Sequence, residues 1–269
     1  MYLDFFNLNE PPFNMTPDPR FIYFSRHHRE ALSSLEYGIN SRCGFIQITG
    51  EIGTGKTTLC RTLLGQLNSQ IHSSLVFNPK LSEVELLQVI VEDFGIEIRG
   101  RKRKDCFDGL NHFLLQESSR GKNAIVIIDE AQLLSPRALE QIRLLSNLET
   151  TTQKLLQIIL VGQPELRRNL DRDDLVQLRQ RIMIRYHLPA LSREDVSLYI
   201  AHRLQVAGCG EDIFSPEAID SIHEISGGIP RLINVLCDRA MIAAYTQSAR
   251  VVAADMVEFA QADLEGVRV

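Results

Sequence analysis

The sequence predicts an α/β protein: a central five-stranded parallel sheet covered by helices on both faces, followed by an all-helical C-terminal part. Three observations carry this. From residue 44 onward, short and wholly apolar runs alternate with longer amphipathic ones. A glycine-rich stretch joins the first apolar run to the first of those amphipathic segments. After Pro189 the strand-like runs stop and only helix signals continue.

Composition sets the bounds. At 269 residues, the chain has room for one large domain, or a main domain plus a small one. Hydrophobic content of 44% and charged content of 23% are those of a folded soluble chain, not a disordered one. A net charge of −5 argues against nonspecific attraction to nucleic acid but leaves a local basic patch open. No apolar run approaches the roughly 18 residues of a membrane helix, and no Lys or Arg precedes Arg20 to form the start of a secretory signal. The five cysteines are scattered and show no C-x-x-C spacing, which predicts buried thiols in a reducing compartment.

Residues 1–24 hold seven of the 18 Phe and Tyr residues, together with Pro11, Pro12, Pro17 and Pro19. The prolines forbid a long helix and the aromatics require burial, so an extended strap docked on the body is expected. A helix follows from about Ser25 to Ser41, with Ala31, Leu32, Leu35 and Ile39 on one face. The strands are predicted at Phe45–Ile48, Leu75–Phe77, Ala124–Ile128, Leu156–Val161 and Ile182–Leu188. Helices are predicted near 56–69, 82–94, 105–119 and 135–148, the last opened by Ser135-Pro136. Beyond Pro189, Ser192-x-x-Asp195 and Ser215-Pro216 open helices, Gly227-Gly228 closes one, and Pro230 opens the next. The expected organisation is a strap at 1–24, a core at 25–190 and a helical segment at 191–269.

The strongest chemical signal is Gly50-Glu51-Ile52-Gly53-Thr54-Gly55-Lys56-Thr57, a G-x-x-x-x-G-K-[ST] run. Glycines let backbone N–H groups curl round phosphate oxygens, and the next helix adds its positive end. Lys56 is expected to reach the β and γ phosphates of ATP, and Thr57 to bind Mg²⁺. The apolar run 124–128 ends in Asp129-Glu130, the form of a Walker B element. Asp129 is the expected holder of the Mg²⁺ shell. Glu130 is the expected residue to orient or deprotonate the attacking water. If the strand at 156–161 lies between the other two, Gln163 falls near the γ-phosphate; otherwise it is a turn residue before Pro164. Arg179 and Arg181 precede the last strand and are the candidates for a finger reaching a neighbouring subunit, with Arg181 favoured over Arg179 and an ordinary surface arginine pair as the alternative. Arg231, in Gly227-Gly-Ile-Pro-Arg231, opens a helix and is placed to swing onto the nucleotide phosphates. The run Arg99–Lys104 carries five basic residues in six and reads first as a solvated loop, second as a contact for DNA phosphates or anionic lipid.

These residues together resemble the AAA+ ATPases, and more narrowly the ExeA/GspA group of general secretion pathway proteins. The resemblance spans nearly the whole chain. It rests on Pro12-Phe13, Pro17-Asp18-Pro19-Arg20, Tyr23–Ala31 with His28, Gly44–Thr58, Asp129-Glu-Ala-Gln132, Gly162-Gln-Pro-Glu-Leu166, Leu178-Arg-Gln-Arg-Ile182 and Gly228-Ile-Pro-Arg-Leu-Ile-Asn234. It implies a P-loop αβα sandwich, a C-terminal helical lid with ATP bound between lid and core, and Gly50 through Thr58 as the nucleotide-binding stretch. It also implies a homo-oligomer whose active site is completed by the neighbouring subunit. The implied setting is cytoplasmic, as a soluble protein, a peripheral membrane protein or the cytoplasmic part of an inner-membrane one. Full-length secretion members continue into a membrane helix and a periplasmic region, so the sequence is expected to be either a truncated cytoplasmic portion or a shorter relative of the pilus or exopolysaccharide kind.

Other P-loop classes fit less well. A superfamily 2 helicase needs a second RecA-like domain, which about 80 helical residues cannot supply. An ABC ATPase needs an L-S-G-G-Q-like signature, absent from residues 58–123. A small-molecule kinase has no need of the lid arginine. The leading function is thus an Mg-dependent ATPase powering assembly of an envelope secretion or pilus-type machine. The alternative is a DNA-associated ATP switch of the transposition-regulator (TnsC) type using Arg99–Lys104. A nucleotide-gated scaffold with little turnover is the third. The strap at 1–24 is expected to cover the adenine site, with simple packing as its alternative.

Overall fold

The computed structural model describes residues 2–15, 18–98, 100 and 102–264. Of the positions singled out above, Pro17, Arg99 and Arg101 lie outside the described residues. In chain order the elements are α1 (Tyr2–Phe5), α2 (Arg26–Asn40), β1 (Phe45–Gly50), α3 (Lys56–Gln66), β2 (Ile71–Val76), α4 (Glu83–Asp93), α5 (Arg103–Ser119), β3 (Asn123–Ile128) and α6 (Pro136–Leu145). They continue with β4 (Gln157–Gly162), α7 (Pro164–Leu170), α8 (Val176–Arg181), β5 (Ile182–Leu188), α9 (Arg193–Val206), α10 (Pro216–Ser226), α11 (Pro230–Thr246) and α12 (Ala254–Leu264). Short 3-10 turns form at Pro19–Phe21, Ala131–Leu133 and Asp173–Leu175.

The chain divides into two compact bodies. One holds His28–Gly50 and Lys56–Leu188; the other holds the residues up to His27, Glu51–Gly55 and the chain from Pro189 onward.

The first body is the parallel sheet, ordered β2-β3-β4-β1-β5. Strands β1, β3 and β4 are buried at every position, as continuous apolar runs between two helical layers must be. The edge strands are only partly buried. This explains why β2 starts at Ile71, well before the apolar triplet Leu75–Phe77: its first residues, His72-Ser73-Ser74, carry no hydrophobic signal. Short helices α7 and α8 were not predicted as elements from a stretch dense in Arg and Asp. Their buried residues, Leu166 and Leu170 on α7 and Leu178 on α8, are too few to establish a period. Helix starts follow the caps expected. Ser135 Oγ accepts the Ala138 N–H at 3.1 Å, and Ser82 and Glu85 form a reciprocal capping box at α4.

The register sets up the site. Thr49 of β1 pairs with Gly162 of β4, and Ile128 of β3 with Leu160 of β4. Gly50, Asp129 and Gln163 therefore emerge at the same C-terminal edge. From β1 the chain runs to the far edge strand β2, and from β4 it runs the other way to β5. Such a reversal opens a crevice outside the strand ends, where open α/β sheets bind ligands.

The second body is helical. Its core joins Ile200, Leu204, Ile222, Ile233, Ala240 and Val257. The N-terminal strap belongs to this core through Phe6, Leu8, Phe13 and Phe21, so its aromatics are buried as expected. Arg203, itself buried, ties the strap down. Its Nε donates to Pro12 O at 2.5 Å, Nη2 to Asn14 O at 3.2 Å and Nη1 to the Tyr199 hydroxyl at 2.8 Å. Its guanidinium also lies 5.0 Å from the Phe21 ring centre. All five cysteines are buried and unpaired, as their scatter predicts. No helix of the described residues is long and apolar enough to cross a membrane.

Candidate nucleotide site

The loop after β1 is shaped by glycine. Gly53 and Gly55 take φ of +84° and +97°, where L side chains are strained. At Gly53 space is also short: a Cβ there would stand 2.7 Å from Cβ of Arg231 and 3.1 Å from Cγ2 of Ile229. Both belong to the helical body, as does Gly53 itself. Thr54 closes the turn, its hydroxyl donating to Glu51 O at 2.9 Å. Ile52 projects outward, 58% exposed.

Helix α3 begins at Lys56, so its unpaired N–H groups and dipole face the loop. Lys56 is buried, and its Nζ donates to Gly50 O at 2.8 Å. One turn on, the Cys60 thiol is held well above its ordinary pKa by burial, reinforced by the Asp129 charge. It stays a protonated packing group. Thr57 Oγ1 donates to Asp129 Oδ2 at 2.6 Å. The other oxygen, Oδ1, accepts the Glu130 N–H at 2.9 Å. Thr58 is half-buried on the same helix.

Glu130 has a left-handed backbone (φ 52°, ψ 35°). Its Oε2 accepts two amide donors, Gln132 Nε2 at 2.5 Å and Gln163 Nε2 at 3.1 Å. Gln163 stands where the order β3-β4-β1 puts it, directly between the Walker B strand and the loop strand. Gln132 is a contact that the sequence does not single out, since it stands there only as the last residue of Asp129-Glu-Ala-Gln132. Its single sequence signal is a position two residues after Glu130.

A divalent cation fits the donor set at Thr57 and Asp129. A hydroxyl and a carboxylate 2.6 Å apart are hard oxygen ligands of the kind Mg²⁺ takes. Among the described residues no group of three His, Cys, Asp or Glu could hold a metal, so a cation at Thr57 and Asp129 would need further oxygen ligands, which phosphate and water could supply.

Of the other candidates, Arg231 stands beside the loop at Gly53 and the rest lie elsewhere. Arg179 and Arg181 sit just before β5 and thus at the end of the sheet opposite Gly50. Arg181 Nη1 donates to Ser146 Oγ at 2.5 Å, Asn147 Oδ1 at 2.7 Å and Arg143 O at 3.3 Å. Arg179 has looser bonds to Asp171 at 3.4–3.5 Å. Arg231 is at the first turn of α11. In the basic run, Lys102 precedes α5 and Arg103 opens it, with Arg103 Nε donating to Gln141 Oε1 at 2.6 Å.

Comparison with known proteins agrees with this geometry. Residues 39–170 match the family model of an AAA domain. The Aeropyrum pernix ORC2 protein, solved with ADPNP and ADP, superposes over 97% of this chain and 73% of its own, with a TM-score of 0.67 and 21% identity. Cdc6p from Pyrobaculum aerophilum covers 92% and 71% with a TM-score of 0.66 and 18% identity. The Thermotoga maritima RuvB branch migration motor covers 88% and 68% with a TM-score of 0.57 and 19% identity. Residues 39–170 thus carry an AAA domain, and the solved structures share the fold of the chain. The chain is also similar to a curated secretion protein. It is 46% identical over its whole length to General secretion pathway protein A of Aeromonas hydrophila, and spans 49% of that protein.

Proposed function

We propose that the chain binds Mg-ATP at Gly50–Thr58, hydrolyses it, and uses the cycle to drive assembly of an envelope secretion or pilus-type machine. The observation that carries the first part is the Thr57–Asp129 pair at 2.6 Å, with Glu130 next in the chain and the buried Lys56 one residue before Thr57. The likeness to General secretion pathway protein A supports the second.

In this reading Gly50, Glu51, Ile52, Gly53, Thr54 and Gly55 wrap the phosphates with backbone N–H groups, and Thr58 extends the cradle into α3. Lys56 supplies the cation for the β and γ phosphates. Thr57 and Asp129 would hold Mg²⁺, which would supply charge neutralisation for the phosphates. Glu130 accepts the proton of the attacking water, and Gln163 orients that water with its amide. Arg231 contacts the phosphates from α11. The finger serves a neighbouring subunit of a homo-oligomer. Arg181 is engaged three times within its own chain, and Arg179 only by longer bonds to Asp171, which favours Arg179 for this role. In the basic run on which the DNA-switch reading rests, Arg103 is engaged by Gln141. The setting that goes with this function is the cytoplasmic face of the inner membrane.

The test is nucleotide binding and phosphate release. Lys56→Ala is expected to abolish ATP binding, measured by equilibrium titration with Mg²⁺ present. Unchanged affinity in that variant would refute the loop's role. Turnover stimulated by duplex DNA, with a steep salt dependence, would favour the transposition-type switch instead.

A further inference from the structure

We propose that Gln132 is a positioning residue that fixes the carboxylate of Glu130 and couples it to the end of β4. The proposal rests on the reading above, in which Glu130 activates the water.

Glu130 does not owe its direction to an easy backbone. A glutamate at φ 52° is in a region L residues visit at a cost, and persists where its surroundings over-determine it. Gln132 supplies much of that determination. Its Nε2 donates to Glu130 Oε2 at 2.5 Å, and its Oε1 accepts the Gln163 backbone N–H at 3.1 Å. Its own carbonyl accepts from Asn169 Nδ2 on α7 at 3.1 Å. Both ends of the amide are thus committed. Flipping it would turn oxygen toward the carboxylate and NH₂ toward an N–H, so only one orientation satisfies both partners.

The bridge closes a ring. Gln163 lends its backbone N–H to Gln132 and its side-chain amide to Glu130, while Gln132 lends its amide to the same Glu130 oxygen. Gly162 leaves room for this: a Cβ there would stand 2.6 Å from Gln132 Oε1. Two donors on Oε2 have a chemical consequence. Among the described residues none donates to Oε1, so Oε1 is the oxygen directed to the water proton. A shift of the β4 end on contact with the terminal phosphate then reaches Glu130 through Gln132 as well as through Gln163.

The test uses the full chain with Gln132→Ala, the equally long Gln132→Glu, Gln163→Ala and the Gln132→Ala/Gln163→Ala double variant. Loss of an outer-shell partner of a reacting group typically costs about ten- to a hundredfold. The expected result is that fall in kcat for both Gln132 variants, with KM and ATP affinity within about twofold of the parent. The double variant should lose less than the product of the single losses, because the two amides act on one oxygen. Parental kcat, a loss seen mainly in ATP affinity, or strictly multiplicative losses would each overturn the proposal. If Gln132→Ala does not fold, Gln132→Glu carries the test alone, since it keeps the length and removes the donor. Glu130→Gln separates the two levels. If it turns over normally, the reading of Glu130 fails; if it is slow while the Gln132 variants are normal, only the positioning role fails.

Discussion

Gly53 shows how much one position can demand. Its φ of +84° costs an L residue roughly 1–2 kcal/mol, and a methyl group there would meet Arg231 Cβ at 2.7 Å. Gly53→Ala is therefore expected to weaken ATP binding at least about tenfold, the equivalent of 1.4 kcal/mol. Equilibrium titration checks this, and unchanged affinity would show that the loop relaxes around the methyl. The loop was legible in the sequence because its chemistry is written in spacing: three glycines, a lysine and a threonine within eight residues. Asp129-Glu130 was legible for the same reason, as an acidic pair closing an apolar run. Gln132 was not, because its partners are set by the parallel register of β3 and β4, which places Gln163 beside it across 31 positions of chain.

Elements behave likewise. Central strands β1, β3 and β4 declare themselves by burial on both faces, whereas β2 hides its beginning in polar residues that an edge strand tolerates. One of these residues takes part in a charge cluster. Glu117 of α5 accepts from His72 Nε2 of β2 at 2.7 Å and from Arg120 Nη1 at 2.6 Å, and pairs with Lys122 Nζ at 2.8 Å. Lys122 and His72 hold its pKa at about 2, below the usual 4.5. A depressed carboxylate contributes stability that is complete above the unfolded value and is lost as pH falls toward the folded one. The β2–α5 contact should therefore weaken between pH 4.5 and about 2. Glu117→Gln is expected to lower the unfolding midpoint near neutral pH and to flatten its dependence on pH across that window. A variant as acid-sensitive as the parent would mean that other carboxylates dominate.

The molecule as a whole is two bodies in one chain, and the P-loop sequence is shared between them: Glu51–Gly55 with the helical body, Gly50 and Lys56 with the sheet. The helical segment was legible from its caps, Ser192, Ser215 and Pro230. The strap's allegiance to it was not, because Arg203 meets Pro12 across 191 positions. At this scale the proposed oligomer makes its own prediction. Arg179→Ala should lower kcat with little change in ATP affinity, and mixing it with Lys56→Ala subunits should restore part of the activity. Arg181→Ala should instead lower the unfolding midpoint, having lost three internal hydrogen bonds. Mixtures that never regain activity would remove the in-trans role.

The central claim is that Glu130, at the end of β3, performs the chemistry on a nucleotide bound by the loop. Steady-state phosphate release by the parent and by Glu130→Gln, with ATP affinity measured on both, tests it most directly. The account predicts equal affinity and turnover slower by at least about a hundredfold. Equal turnover would contradict it.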